Sequence, residues 1–97
     1  MIGVVVTFAP PEEFDPELVR KIADEASAMF QGMPGLRHKF FTLDEDRRRA
    51  RNFYVWDDDT AGRGFFSDQL VERVTDLYGV APKVEYVEIV GVVDNSK

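Results

Sequence analysis

The chain contains no cysteine and only one histidine among its 97 residues. Disulfide bonds, thiolate metal sites and a cysteine nucleophile are therefore excluded. A metal site built from several imidazoles is excluded as well. Gly62-Arg63-Gly64 lacks the third glycine of a dinucleotide-binding loop, so no phosphate-cradling motif is present. We expect neither a metal nor an organic cofactor.

The sequence also has no long apolar run, and its basic residues are fewer than its acidic ones. The first six residues lack a basic leader and a long apolar stretch, so they predict neither a signal peptide nor a membrane span. The formal net charge of -6 argues against nucleic-acid binding, which depends on cationic neutralisation of phosphates. The lack of cysteine fits a reducing compartment, and we expect a cytoplasmic protein without nucleic-acid or membrane partners.

The length and composition predict one globular domain over residues 1–97. A chain of this size supports one hydrophobic core. With 44% hydrophobic and 31% charged residues, it has the composition of a folded domain rather than of a disordered segment.

Six secondary-structure elements follow from periodicity and from their flanking signals. Asp15 before Pro16 predicts a helix start, and Gly32 followed by Pro34 predicts its end. Residues 9–14 break the strand pattern before this helix, and Gly79 predicts the end of the second helix. The predicted elements are a strand over 2–8, a helix over 16–31, strands over 36–43 and 52–57, a helix over 60–78 and a strand over 83–93.

The order of these elements is typical of the α+β class. A βαββαβ succession predicts the ferredoxin-like arrangement, in which two helices cover one face of a four-stranded antiparallel sheet. The first and last strands are apolar on both faces, which would leave an uncovered apolar surface on a monomer. We therefore expect a homodimer in which two sheets face each other.

The central hairpin carries the candidate site. Alternation places His38 and Phe40 on one face of the first hairpin strand, and Asn52, Tyr54 and Trp56 on one face of the second. If the two faces coincide, these residues form one wall of a cavity beneath the helices. His38 then has a suitable pKa for a catalytic proton acceptor, while the others line a substrate pocket. The alternative is that His38 is a partly exposed packing residue.

Two further aromatic residues are candidates for the pocket, and one loop has an open interpretation. Phe66 lies on the apolar stripe of the second helix, and Tyr86 lies on the last strand with its facing unassigned. The hairpin loop 44–51 contains four arginines within five positions. These arginines could hold an anionic ligand, but the acidic residues beside them favour a solvated loop.

Several motifs together resemble a known family. Pro34-Gly35-Leu36, Lys39, the run from Phe53 to Asp58 and the pair Phe65-Phe66 look like the YdhR-type monooxygenases. That family belongs to the dimeric α+β barrel superfamily, which also contains the antibiotic-biosynthesis monooxygenases. The resemblance implies a homodimer with one pocket per subunit between helices and sheet. It also implies cofactor-free oxygenation of small aromatic or polyketide-like substrates.

Two other classes of function stay open at this point. A pocket of this kind can isomerise or cyclise a substrate by proton transfer alone, with the same histidine as base. It can also bind a hydrophobic metabolite without catalysis. Oxygen consumption separates the first hypothesis from these two.

Overall fold

A computed structural model describes residues 1–8, 15–78 and 81–96. The elements are β1 (Ile2–Phe8), α1 (Pro16–Phe30), β2 (Leu36–Asp44), β3 (Arg49–Trp56), α2 (Asp59–Phe65), α3 (Asp68–Tyr78) and β4 (Lys83–Glu88). The strands form one antiparallel sheet in the order β2-β3-β1-β4. This confirms the predicted ferredoxin-like α+β fold. The predicted break over 9–14 and the predicted cap at Gly79 lie outside the described residues.

Two predicted helix starts are confirmed by capping hydrogen bonds. Asp15 Oδ1 accepts from the backbone N–H of Glu17 at 3.1 Å and of Leu18 at 3.3 Å. Asp58 Oδ1 accepts from the N–H of Ala61 at 2.8 Å. Each carboxylate satisfies N–H groups that lack a partner in the first helical turn, so each fixes where its helix begins.

The second predicted helix is instead two helices. α2 ends at Phe65, because the next residue, Phe66, has a φ of -89° and a ψ of 63°, which are not helical. Ser67 Oγ then accepts from the N–H of Leu70 at 3.2 Å, which caps the start of α3. The break directs two consecutive aromatic residues, Phe65 and Phe66, against the sheet. The prediction of one continuous helix missed the serine as a capping signal.

The last strand is shorter than predicted. β4 ends at Glu88, and a hydrogen bond from the N–H of Ile89 to the carbonyl of Met1 follows at 3.2 Å. Residues 89–96 form no regular structure. This segment exposes three valines, which are Val90, Val92 and Val93.

The core lies between the helices and one face of the sheet. β1 contributes every second residue to it, and β3 contributes Ala50, Tyr54 and Trp56. Because β1 is an inner strand, its core-facing side chains are among the most buried; the set is Ile2, Val4, Val6 and Phe8. We call the side of the sheet away from the helices its outer face.

Two of the four arginines of the hairpin segment pair with one local carboxylate. Arg47 Nη1 lies 3.0 Å from Asp44 Oδ2, and Arg49 Nε lies 3.6 Å from the same oxygen. Hydrogen bonds from Arg47 lower the pKa of the Asp44 carboxyl. These pairs support the solvated-loop interpretation over an anion site.

Gly62 allows α2 to approach the core closely. A Cβ at this position would lie 3.1 Å from Trp56 Cδ1 and 3.3 Å from Ile2 Cγ2, closer than ordinary carbon contacts. Trp56 is only 2% exposed and has little room to move. The backbone of α2 therefore approaches the core closely at Gly62, whereas a Cβ at Gly64 would meet no atom within 4 Å.

The two helical glycines should respond differently to alanine. Gly64→Ala should raise the free energy of unfolding by about 0.5–1 kcal/mol, because alanine loses less backbone entropy and has nothing to clash with. Gly62→Ala should bring no such gain and should destabilise the protein, because the added methyl group presses on Trp56. Urea unfolding of both variants measures the difference, and equal gains would contradict the packing described above.

Candidate active site

A β-bulge at the start of β2 decides which side chains face the helices. Leu36 pairs with Trp56, but His38 pairs with Val55, so Arg37 is an extra residue in β2. The N–H of Asp57 donates to the carbonyl of Gly35 at 2.8 Å, and Arg37 Nε donates to Asp57 Oδ1 at 2.5 Å. The extra residue reverses the alternation that follows it, because side chains in a strand alternate between the faces.

A cavity of about 260 Å³ lies between the helices and the sheet. Its described lining is mainly apolar and aromatic, with four polar or charged side chains among it. The aromatic members are Phe8, Phe30, Phe41, Tyr54, Phe65 and Phe66, and the polar or charged members are Lys39, Asn52, Tyr54 and Arg73. Apolar concave sites with a few polar groups are the usual form of small-molecule sites.

Ring packing fixes the shape of one end of the cavity. Phe65 and Phe66 meet edge to face with 5.0 Å between their centroids, and the ring of Phe66 meets that of Tyr54 in the same way at 5.0 Å. Phe30 from α1 lies 5.8 Å from Phe65 and 6.0 Å from Tyr54. Three elements therefore contribute one contiguous aromatic cluster, whose geometry leaves few alternative rotamers.

Lys39 projects its amine into this cluster. Its Nζ lies 3.5 Å from the ring centroid of Phe30, 4.3 Å from that of Phe41 and 4.4 Å from that of Tyr54. No ion pair within the described part of the chain involves Lys39. The amine is thus held by aromatic faces rather than by a carboxylate.

The environment of Lys39 has two opposing effects on its proton affinity. The ring faces attract the ammonium form. Burial removes the water that would solvate the charge, and it lowers the pKa of Lys39 from 10.5 to about 7. The cavity wall therefore carries an amine that changes charge close to neutral pH.

Three of the sequence-predicted binding residues do line the cavity, and these are Asn52, Tyr54 and Phe66. Trp56 lies beside them in the core and is not part of the cavity wall. Its ring stacks on Tyr54 at 6.1 Å and 9°, and α2 covers it. The indole N–H of Trp56 is buried and has no hydrogen-bond partner among residues 1–8, 15–78 and 81–96.

His38 and Phe40 do not face the cavity, so their predicted placement is wrong. The bulge at Arg37 turns both onto the outer face, where their rings stack at 6.2 Å and Phe40 approaches Phe53 at 6.4 Å. His38 is exposed and borders a separate recess of about 310 Å³ near the end of α1. The prediction assumed a regular strand, which would have placed His38 opposite Tyr54.

Tyr86 can now be assigned a face. It pairs with Val4 in β1 and lies on the helix side, where its ring meets the edge of Phe66 at 6.3 Å. The guanidinium carbon of Arg63 lies 4.1 Å from its ring centroid. Tyr86 therefore supports Phe66 from behind and is not among the described cavity-lining residues.

Sequence reasoning missed Lys39, Phe41 and Phe65 as cavity residues. One signal was available in β2. The apolar Phe41 and Leu43 alternate with the polar Thr42, which predicts that the buried face is the one opposite to His38. A lysine at position 39 on the same face obscured that signal, because lysine is seldom buried without a partner.

Other site types find no support in the described residues. No group of three or more acidic, histidine or cysteine side chains that could hold a metal ion occurs within residues 1–8, 15–78 and 81–96. In the same part of the chain, no helix has the length and apolar character required to cross a bilayer.

No protein-family model and no curated protein matches the sequence. Solved structures do match the fold. A monooxygenase from the gene ActVA-Orf6 of Streptomyces coelicolor, in complex with Nanaomycin D, has a TM-score of 0.70 at 22% identity, covering 98% of this chain and 92% of that one. A variant of SnoaB, a cofactor-independent oxygenase from Streptomyces nogalater, has a TM-score of 0.69 at 16% identity, with 95% of both chains covered.

A third structure, described as an antibiotic biosynthesis monooxygenase, has a TM-score of 0.66 at 16% identity. It covers 94% of this chain and 100% of that one. This chain therefore has the fold of solved antibiotic-biosynthesis monooxygenases along nearly its whole length.

The buried amine should make stability depend on pH. Between pH 7 and 10.5 the unfolded chain holds a proton on Lys39 that the folded chain has lost, so the free energy of unfolding rises with pH across this window. The contribution to the slope is at most about 1.4 kcal/mol per pH unit. Below pH 7 both states are charged, and the desolvation penalty is fully present.

Lys39→Met removes this penalty. The variant should gain most stability over the wild type at pH 6, and the gain should shrink as the pH rises towards 10. Urea unfolding at several pH values measures it, with Lys21→Met as a control because Lys21 is exposed on α1. A constant difference across this range would show that Lys39 is not desolvated.

Proposed function

We propose that the protein is a cofactor-independent monooxygenase that acts on a small aromatic or polyketide-like molecule bound in the cavity. The observation that carries this proposal is the aromatic cavity itself, which holds the amine of Lys39 and the amide of Asn52 on a mainly apolar wall. The cavity suits a flat, electron-rich ring system. Asn52 is 6% exposed, and its side chain offers two N–H donors to an oxyanion.

Such a substrate can react with oxygen without a cofactor. Loss of a proton from a phenol or enol gives an anion that transfers one electron to O₂. The resulting radical and superoxide combine to form a carbon–oxygen bond. At a methylene carbon between two rings, loss of water from the peroxide leaves a ketone, so the methylene compound and O₂ give the ketone and one water. No external reductant is required, and the protein supplies a dry site, a base and oxyanion donors.

The comparisons support this class of function at the level of fold. One neighbour is described as a cofactor-independent oxygenase, and another was solved with Nanaomycin D. Identities of 16–22% support no assignment of substrate. Membership of the YdhR-type family and a cytoplasmic location stay predictions.

A second candidate is proton transfer alone, as in an isomerase or cyclase. Lys39 favours it, since an amine that titrates near neutral pH can both accept and return a proton. The two candidates differ in their need for O₂. Product formation without oxygen would support the second.

The proposed reaction is tested with 1,8-dihydroxyanthrone, which carries phenolic groups and a methylene between two rings. The wild type should consume one O₂ per molecule oxidised, faster than the compound reacts in buffer, and without added metal or flavin. Ala26→Phe should reduce the rate by at least about tenfold, because Ala26 lines the cavity and a phenyl ring there occupies the substrate space.

Ala28→Phe is the matched control, because Ala28 is exposed on the same helix and should leave the rate unchanged. An oxygen electrode and chromatography of the product provide the measurements. Equal rates in buffer and with the wild type would refute oxygenation of this compound.

We further propose that the outer face of the sheet binds a second copy of the chain. Phe40 is 51% exposed and Val87 is 43% exposed on this face. Val87 and Phe53 close over the backbone of Gly3, since a Cβ there would lie 2.9 Å from Val87 Cγ2 and 3.0 Å from Phe53 Cζ. Residues 89–96 expose three further valines. Apolar surfaces of this kind mark interaction sites.

Sedimentation velocity tests the dimer. The wild type should sediment at twice the chain mass of 11.1 kDa at micromolar concentration. Phe40→Glu should shift it to the monomer, because two buried carboxylates would face an apolar surface. Leu18→Glu is the control, because Leu18 is also half exposed but lies on α1. A wild type that sediments as a monomer would disprove the proposal.

A further inference from the structure

Lys39 is the one described cavity residue that can act as a base near neutral pH. The described lining contains no aspartate, glutamate or histidine. The guanidinium of Arg73 donates hydrogen bonds but has no acceptor atom, and the amide of Asn52 is not basic. The phenol of Tyr54 can act as a base only after it has lost its own proton. The residues that carry or can acquire charge around the cavity are thus Lys39 on β2, Tyr54 on β3 and Arg73 on α3.

The amine is also placed where a flat ligand would lie. Phe30, Phe41 and Tyr54 surround Nζ at centroid distances between 3.5 and 4.4 Å, and all three rings line the cavity. Asn52 lies on the next strand and pairs with Phe41. Its side-chain amide lines the same cavity and makes no hydrogen bond within the described part of the chain, so it is free to bind a ligand oxygen.

We propose that Lys39 is the general base that takes the proton from the phenolic or enolic O–H of the substrate. In this step the O–H bond breaks, its electron pair stays on oxygen, and an N–H bond forms on Nζ. The substrate gains one negative charge and Lys39 one positive charge. No oxidant or reductant takes part. This assignment rests on the proposed function, because it supplies the ionisation that precedes reaction with O₂.

The same residue can then retain the anion. A phenolate oxygen beside the protonated amine is attracted to it, and the low dielectric constant of the cavity makes this attraction stronger than in bulk water. This attraction offsets the desolvation that disfavours the free ammonium. The aromatic faces around Nζ add to it, since they also favour the cation. Proton transfer to Lys39 is therefore coupled to retention of an anionic substrate.

Binding of 4-nitrophenol tests the assignment without turnover, because the ionised dye absorbs at a different wavelength from the neutral one. The titration is carried out about one pH unit below the pKa of the free dye, where about nine-tenths of it is neutral in water. Wild-type protein should bind the dye as its anion. Lys39→Met should bind it in the neutral form, and the exposed control Lys21→Met should behave as the wild type.

Kinetics with 1,8-dihydroxyanthrone distinguish the role of Lys39 as a proton acceptor from the effect of its positive charge. In the wild type, kcat/KM should rise with pH through the pKa of the free enzyme near 7. Lys39→Met should not show this rise with pH, and its rate should be about 100-fold lower than that of the wild type. Lys39→Arg keeps a cation that cannot accept a proton, so it should still bind the nitrophenol anion but should show the same loss of rate.

The outcomes distinguish this inference from the proposed function. If the wild type consumes oxygen but Lys39→Met retains the rate and still ionises the dye, the assignment of Lys39 is wrong and the oxygenase proposal stands. If the wild type binds the dye as its anion and Lys39→Met does not, yet no oxygen is consumed, the cavity retains an anion at Lys39 and the oxygenase proposal fails for this compound. Wild-type protein that does not bind the dye, or binds it in the neutral form, overturns the assignment.

Discussion

The single extra residue in β2 determines the chemistry of the cavity. Arg37 interrupts the pairing with β3, and every later side chain of β2 changes face as a result. The hydrogen bond between the N–H of Asp57 and the carbonyl of Gly35 fixes the chain on one side of the bulge. The Arg37–Asp57 ion pair is exposed, so it contributes little free energy. The backbone bond and the close packing of Gly35 against Ala61 hold the register more firmly.

Because the bulge reverses the faces of β2, the cavity wall carries the amine of Lys39 in place of the imidazole of His38. A histidine beneath the helices would titrate near its ordinary pKa only if it stayed hydrated. The ordinary pKa of lysine is much higher than that of histidine, and burial lowers the pKa of Lys39 into the neutral range. An apolar aromatic cavity can therefore convert a poor base at neutral pH into a useful one. This makes the apolar lining part of the chemistry and not only a surface that binds a ring.

The sequence predicted the order of the elements, because the signals for it are local. Asp15 and Asp58 cap helices through N–H groups two or three residues away, and apolar alternation marks the strands over a few positions. The facing of β2 depends instead on a one-residue shift against β3, which involves residues nearly twenty positions apart. Apolar residues on both faces of β2 leave such a shift unmarked. Tyr54 and Asn52 were placed correctly because β3 is regular.

A continuous series of contacts joins the core to the cavity. Gly62 lets α2 close over Trp56, Trp56 stacks on Tyr54, and Tyr54 forms part of the ring set around Nζ of Lys39. The last two contacts in this series are between two rings and between a ring and a cation, so they constrain orientation as well as distance. The position of the amine is thus set by packing that begins on the far side of the core. Catalytic groups held in this way are preorganised, since they need no rearrangement when charge develops beside them.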